Sequence, residues 1–121
     1  MSKAGERGRR AETLAAWWLR LKGWRVLARG FSIGRGRGAG EVDLIVRRGG
    51  VVAFVEVKAR ADLALAAHAI TPAQQARIAR AARAFVAGRP RLAGCALRFD
   101  AVLICPGRLP RHVPDAWRMD A

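Results

Sequence analysis

The sequence predicts an α/β domain in which a mixed sheet of about four to five strands is flanked by helices, in the order α-β-β-β-α-β. Three observations predict it. Apolar residues recur at helical spacing in two segments, 9–22 and 71–86. Between and after them lie strand-length runs rich in Val, Ile, Leu and Phe, two of them joined by the turn "RGG" at 48–50. A helix between the third and fourth runs supplies the right-handed crossover that lets those two strands lie parallel. The 121 residues fit one domain, residues 1–121, and 52% hydrophobic content is enough to furnish its core.

From Arg9 to Lys22, the residues Ala11, Leu14, Trp18 and Leu21 recur three and four apart and define the expected buried stripe, with Gly23 as the stop. Trp17 and Trp18 are adjacent on this helix, so only one can point fully inward. "WRVLARGF" (24–31) is the expected first strand, and "SIGRGRGAG" (32–40) is a glycine-arginine loop that cannot build a core. "EVDLIVR" (41–47) alternates, which places Val42, Leu44 and Val46 on one face and Glu41, Asp43 and Ile45 on the other. The third strand is "VVAFVEVKAR" (51–60), followed by a loop that contains His68.

In "TPAQQARIARAARAFV" (71–86), Thr71 is the expected N-cap, Pro72 suits the first helical position and Gln74 completes a capping box. Ile78, Ala81, Ala82 and Phe85 make its core face, while Arg77, Arg80 and Arg83 form a stripe on another face. "GRPRLAG" breaks the helix, and "ALRFDAVLIC" (96–105) is the fourth strand, closed by Pro106. The last residues are expected to form a short edge strand or turn, with Trp117 packing back.

A formal charge of +14, from 23 Lys and Arg against 9 Asp and Glu, calls for an anionic partner, and nucleic acid is the simplest. Twenty of the cations are Arg and three are Lys: Lys3, Lys22 and Lys58. Cys95 and Cys105 lack CxxC spacing, and His68 and His112 form no ligand cluster with them, so both thiols read as reduced core residues of a cytoplasmic protein rather than zinc ligands. No apolar run reaches the length of a membrane span, and Glu6, Glu12, Arg20 and Lys22 spoil the N-terminal segment as a signal peptide.

Glu56 and Lys58 stand in a strand otherwise committed to burial, and a period of two puts both on one face. Burying even a merely polar group without a partner costs about 2–7 kcal/mol, so something must offset that cost. The hairpin brings Asp43 onto the neighbouring strand. Two acids plus substrate phosphate and water are the usual means of holding Mg²⁺, and a flanking ammonium can orient water or steady charge on phosphate. D-x12-E-x-K therefore reads either as a metal-dependent phosphodiesterase centre or as a cross-strand ion pair with one acid left over.

"GEVDLIV" followed by "VVAFVEVKAR" resembles the PD-(D/E)xK nuclease superfamily, and more closely the YraN-like family of predicted endonucleases, related in fold to archaeal Holliday-junction resolvases. "GRRAETLAAWWLRLKGWRVLARGF", "ALRFDAVLI" and "VPDAW" are similar to that family's opening and closing patterns, so the resemblance spans nearly the whole chain. It implies a restriction-endonuclease-like three-layer core. It also implies that Asp43, Glu56 and the Val57 carbonyl ligate Mg²⁺ or Mn²⁺ and that Lys58 is the catalytic lysine. Glu12 and Glu41 are implied as further acids near the site. The chain departs from the family at Gln74, where a lysine is frequent, and at Gly30, where asparagine is frequent, which puts a secondary phosphate contact in doubt.

Gln74 and Gln75, in the first turn of the second helix, can reach substrate or a metal-bound water, and Gln74 reads equally as a capping residue. Arg35 and Arg37 in the glycine-arginine loop, Arg60 after the third strand, and Arg77, Arg80 and Arg83 are the candidate nucleic-acid contacts; a linker and a solvated helix face are the plainer readings. The expected function is Mg²⁺- or Mn²⁺-dependent hydrolysis of DNA, favoured over RNA, selective for junctions, flaps or ends. A homodimer would suit the cutting of two strands. The alternatives are a non-catalytic nucleic-acid-binding module on the same fold and a basic ribosome-associated protein.

Overall fold

The computed structural model describes residues 3–67 and 69–118; His68 lies outside them. Five strands form one mixed sheet in chain order: β1 (Arg25–Ile33), β2 (Gly40–Arg48), β3 (Val51–Ala59), β4 (Ala96–Ile104) and β5 (Arg111–Trp117). β1 pairs antiparallel with β2 and β2 with β3, β3 and β4 are parallel, and β5 returns antiparallel along β4. Helix α1 (Lys3–Leu21) covers one face, while α2 (Leu63–Ala67) and α3 (Pro72–Ala87) cover the other. The result is a three-layer α/β core. No helix among the described residues is long and apolar enough to cross a membrane.

Val52 to Glu56 of β3 are buried without interruption, as befits a central strand covered on both sides. On the α3 side, Val42, Ile45, Val52, Phe54 and Phe99 meet Ile78, Ala81, Ala82 and Phe85, the helix face expected from the sequence. The Thr71 capping box is formed: Gln74 N–H donates to Thr71 Oγ1 at 3.2 Å and Thr71 N–H to Gln74 Oε1 at 3.3 Å. The edge strand at the C-terminal end is β5, where Trp117 stacks on Phe99 with ring centroids 5.7 Å apart.

The structure corrects the reading of α1. Ala11, Ala15, Ala16 and Leu19 are its buried residues, whereas Leu14 and Leu21, expected inside, are 45% and 72% exposed. Small side chains let the helix axis lie close to the sheet, so the buried stripe is written mostly in alanines, with Leu19, while Leu14 and Leu21 fall outside it. A second correction concerns 61–70, expected as a loop. It contains the single turn α2, begun by Asp62 Oδ1 accepting from the Leu65 N–H at 2.9 Å and held by Ala66 against Ala101 and Leu103 of β4. Five residues are too few for a helical period to show.

Candidate functional site

Strict alternation along β2 would keep Val42 on the face of Leu44 and Val46. The structure does otherwise: Val42 and Ile45 pack towards α3, while Leu44 and Val46 pack towards α1. The cause lies at the start of the strand. A Cβ on Gly40 would stand 2.7 Å from the Ala81 backbone nitrogen, and Arg80 Nη1 donates to the Ala39 carbonyl at 3.1 Å. These contacts hold the first residues of β2 against α3, and the phase slips between Val42 and Leu44. Asp43 is the residue at the slip.

The slip coincides with the end of the β2–β3 ladder. Pairing runs from Arg48–Val51 to Leu44–Val55, and the next residues along, Asp43 and Glu56, stand where the strands part. Asp43 closes this fork with its side chain, its Oδ2 accepting from the Val57 N–H at 2.8 Å. Glu56 is only 8% exposed. Its pKa is pushed up from 4.5 to about 9, first by burial, then by the hydrogen bond it shares with Asp43 and by that residue's charge; Lys58 opposes the shift and Glu41 adds to it. At neutral pH the Glu56 carboxyl therefore favours its protonated form. Among the described residues no ion pair involves Asp43, Glu56 or Lys58.

Lys58 follows Glu56 on the same strand face and is half-buried. Glu12 reaches the fork from α1: burial raises its pKa, Asp43 raises it further, and Arg29 opposes both. Arg29 Nε lies 3.4 Å from Glu12 Oε1, and its Nη2 donates to Thr13 Oγ1 at 2.8 Å. Glu41 points outward to Arg77, 3.4 Å away, so its charge is partly answered. The fork thus gathers Asp43, Glu56, Lys58 and Glu12, with Glu41 on its rim. No group of three or more His, Cys, Asp or Glu side chains placed to hold a metal ion occurs among the described residues.

The candidate polar and cationic residues around the fork are less uniform than the sequence suggests. Gln74 is occupied by the capping box, and Gln75 Nε2 lies 3.5 Å from the Ile70 carbonyl. Arg77 answers Glu41 and Arg80 clamps Ala39, so the helical stripe spends two of its three cations inside the molecule, while Arg83 is exposed. Arg60 is exposed and donates to its neighbour's carbonyl, Ala59 O, at 2.7 Å. Arg35 is exposed at the start of a one-turn 3₁₀ segment, Gly36–Gly38; the side chain of Arg37 lies outside the described residues.

Sequence reasoning missed a second buried acid. Asp100 of β4 is fully buried and receives Arg98 Nε and Nη2 at 2.8 and 2.9 Å, the Asp115 N–H at 3.0 Å and a contact with His112 Nε2 at 2.7 Å. Burial works against its ionisation, yet the hydrogen bonds from His112, Arg98 and Asp115 together bring its pKa to about 2. The network ties β5 to β4 and leans on Trp24, whose ring meets His112 edge-on and carries the Arg98 guanidinium 5.3 Å from its centroid. An acid in an apolar strand, "RFDAV", is the same signal that drew attention to Glu56.

Comparison with known proteins supplies a family. The model of a family described as uncharacterised protein family UPF0102 matches residues 11–104, a span that includes the whole fork. The chain is 63% identical to a UPF0102 protein of Paramagnetospirillum magneticum over 97% of its own length and 91% of the relative's. It is 54% identical to a UPF0102 protein of Methylorubrum extorquens, over 94% and 86% of the two chains. A third, from Parvibaculum lavamentivorans, is also 54% identical, over 92% and 80%.

Proposed function

The chain belongs to the uncharacterised protein family UPF0102, the YraN-like family its motifs resemble, and from that premise we propose that it is a metal-dependent endonuclease hydrolysing phosphodiester bonds in DNA. The carrying observation is the acid pair at the β2–β3 fork: a buried Glu56 next to Asp43 where the ladder ends, its pKa raised by burial and by Asp43 and lowered by Lys58. Two adjacent carboxyls, one of them buried and resisting ionisation, are a pair whose charge a divalent cation offsets, so Mg²⁺ or Mn²⁺ fits this donor set. Asp43, Glu56 and the Val57 carbonyl would hold it. Bound there, such an ion supplies positive charge to a phosphate and makes its water a stronger nucleophile at neutral pH.

The other roles follow from chemistry. Lys58 donates to a phosphate oxygen and steadies the charge that grows on it in the transition state. Glu12 adds a carboxyl at the outer edge of the fork, its orientation set by Arg29. The three-layer core with a mixed sheet suits the restriction-endonuclease-like fold of the PD-(D/E)xK superfamily. A net charge of +14 suits a duplex backbone, and so compact a chain favours recognition of junctions, flaps or ends over base sequence. The enzyme would act in the cytoplasm, and a two-fold dimer would present one fork to each strand.

One observation favours the rival, a non-catalytic nucleic-acid-binding protein: the fork does not assemble three metal-ligating side chains among the described residues. The two readings part in one assay. Wild type and Asp43→Asn are incubated with branched, flapped, linear and single-stranded DNA, with Mn²⁺ and with chelator. Cleavage by wild type that needs Mn²⁺ and Asp43 is expected; tight binding without cleavage on every substrate would assign the protein to the rival.

A further inference from the structure

The fork leaves the outer face of α1 without a role. Leu14, Trp17 and Leu21 recur there at helical spacing, 45%, 61% and 72% exposed, opposite the alanines that meet the sheet. Arg9, Arg10, Thr13, Leu14 and Trp17 line an open hollow of about 620 Å³. Both ends of the stripe are cationic, with Arg9 and Arg10 before it and Arg20 and Lys22 at its close. A second copy laid against it, parallel or antiparallel, would set cation against cation. The complementary partner is anionic and carries flat apolar groups.

Single-stranded nucleic acid has that chemistry, since bases stack on exposed aromatics while guanidiniums take the phosphates. A chain of side-chain interactions also links the wall of the hollow to the fork. Thr13 in its wall accepts from Arg29, which pairs with Glu12, and Glu12 stands close enough to Asp43 for their charges to couple. We infer that Trp17 stacks an unpaired base, with Arg9 and Arg10 on its flanking phosphates, so that the preferred DNA carries unpaired nucleotides beside the duplex presented to the fork. The inference rests on the nucleic-acid reading above and narrows its substrate class.

Binding isotherms of wild type, Trp17→Ala and Trp17→Phe test it, on a duplex, on the same duplex with a single-stranded tail, and on that tail made abasic. Wild type should prefer the tailed DNA by roughly ten-fold, the size expected of one base stacked on an aromatic. Trp17→Ala should remove most of the preference without changing duplex affinity or its salt slope, and Trp17→Phe should restore most of it. The abasic tail, which keeps its phosphates for Arg9 and Arg10 but offers no base, should lose most of the preference. A preference that survives Trp17→Ala undiminished overturns the inference. So does a dimer, seen by sedimentation, that Trp17→Ala splits with the preference intact, which would make the face a self-interface. Wild type that binds neither DNA removes the nucleic-acid reading along with it. A Trp17-dependent preference with no cleavage in Mn²⁺ leaves the stacking site standing and removes only the hydrolysis.

Discussion

The Val57 N–H donates to Asp43 Oδ2 at 2.8 Å across the point where β2 and β3 separate, so one carboxylate both ends the ladder and faces Glu56. Asparagine at 43 can keep the acceptor while removing the charge; alanine removes both. Asp43→Ala should therefore unfold in urea about 1–3 kcal/mol more easily than wild type, the cost of a partly buried donor left without a partner. Asp43→Asn should lose clearly less. Carboxyl NMR of Asp43→Asn should also show Glu56 titrating lower than in wild type, because the charge that raised it is gone.

Glu56 makes the fold sensitive to alkali. Its folded pKa, about 9, lies above the ordinary 4.5, so its contribution to stability is fully present below pH 4.5 and is lost as pH rises through 9. One such group gives a slope of at most about 1.4 kcal/mol per pH unit across that window. Urea midpoints measured in chelator from pH 5 to 9 should fall for wild type and fall less for Glu56→Gln. Adding Mn²⁺ should flatten the wild-type profile, since a bound cation favours the ionised carboxylate.

Asp100 has the opposite sign. Its pKa, about 2 against an ordinary 3.8, gives stability that is present above 3.8 and lost as pH falls towards 2. Asp100→Asn should blunt the acid limb of unfolding. Asp100→Ala should cost about 3–5 kcal/mol, because it leaves Arg98 and His112 without their carboxylate in a buried setting. Loss of β5 pairing, followed by hydrogen exchange at Val113 and Trp117, should accompany it.

Gly40 is required by space rather than by backbone angle. An added Cβ would meet three backbone atoms of α3: Ala81 N at 2.7 Å, Arg77 O at 3.1 Å and Arg80 C at 3.1 Å. Backbone cannot swing aside as a side-chain tip would. Gly40→Ala should lower stability by about 1–3 kcal/mol in urea unfolding. Because the same contact sets the phase of β2, it should also weaken Mn²⁺ binding at Asp43, measured by calorimetry.

What the sequence made legible was whatever is periodic and local. The capping box at Thr71, the core face of α3, the 48–50 turn and the parallel partner of β3 are each written in neighbouring residues or in one period. Asp43, Glu56 and Lys58 stand out in the sequence because charges break an apolar pattern. The failures have one physical origin, that burial is decided by what lies opposite. Leu14 and Leu21 have the right period for a core stripe, but Ala15 and Ala16 let α1 approach the sheet on a different face. Val42 alternates correctly with Leu44, yet a helix forty residues away holds it on the other side. The partners of Asp100 lie two, twelve and fifteen residues on, or behind, and no local pattern joins them.

Lys58 offers the sharpest test of catalysis. Twenty of the chain's 23 cations are arginine, so arginine has been accepted almost wherever positive charge suffices, and position 58 is an exception. The structure gives the exception a setting: a half-buried ammonium beside Glu56, with no ion pair of its own among the described residues. An ammonium is compact and can hold a single water or phosphate oxygen, whereas a guanidinium is wide, forked and always charged. If Lys58 works at a reacting phosphate, Lys58→Arg should fold, bind DNA with wild-type affinity and lose at least about 100-fold in cleavage rate, the range typical for a lost electrostatic contact in a transition state. If it only balances the charge of Glu56, arginine serves as well and cleavage should stay within about two-fold. A binding isotherm and a Mn²⁺ cleavage time course on the same preparations separate the two, and full activity in Lys58→Arg would remove this lysine from the chemistry.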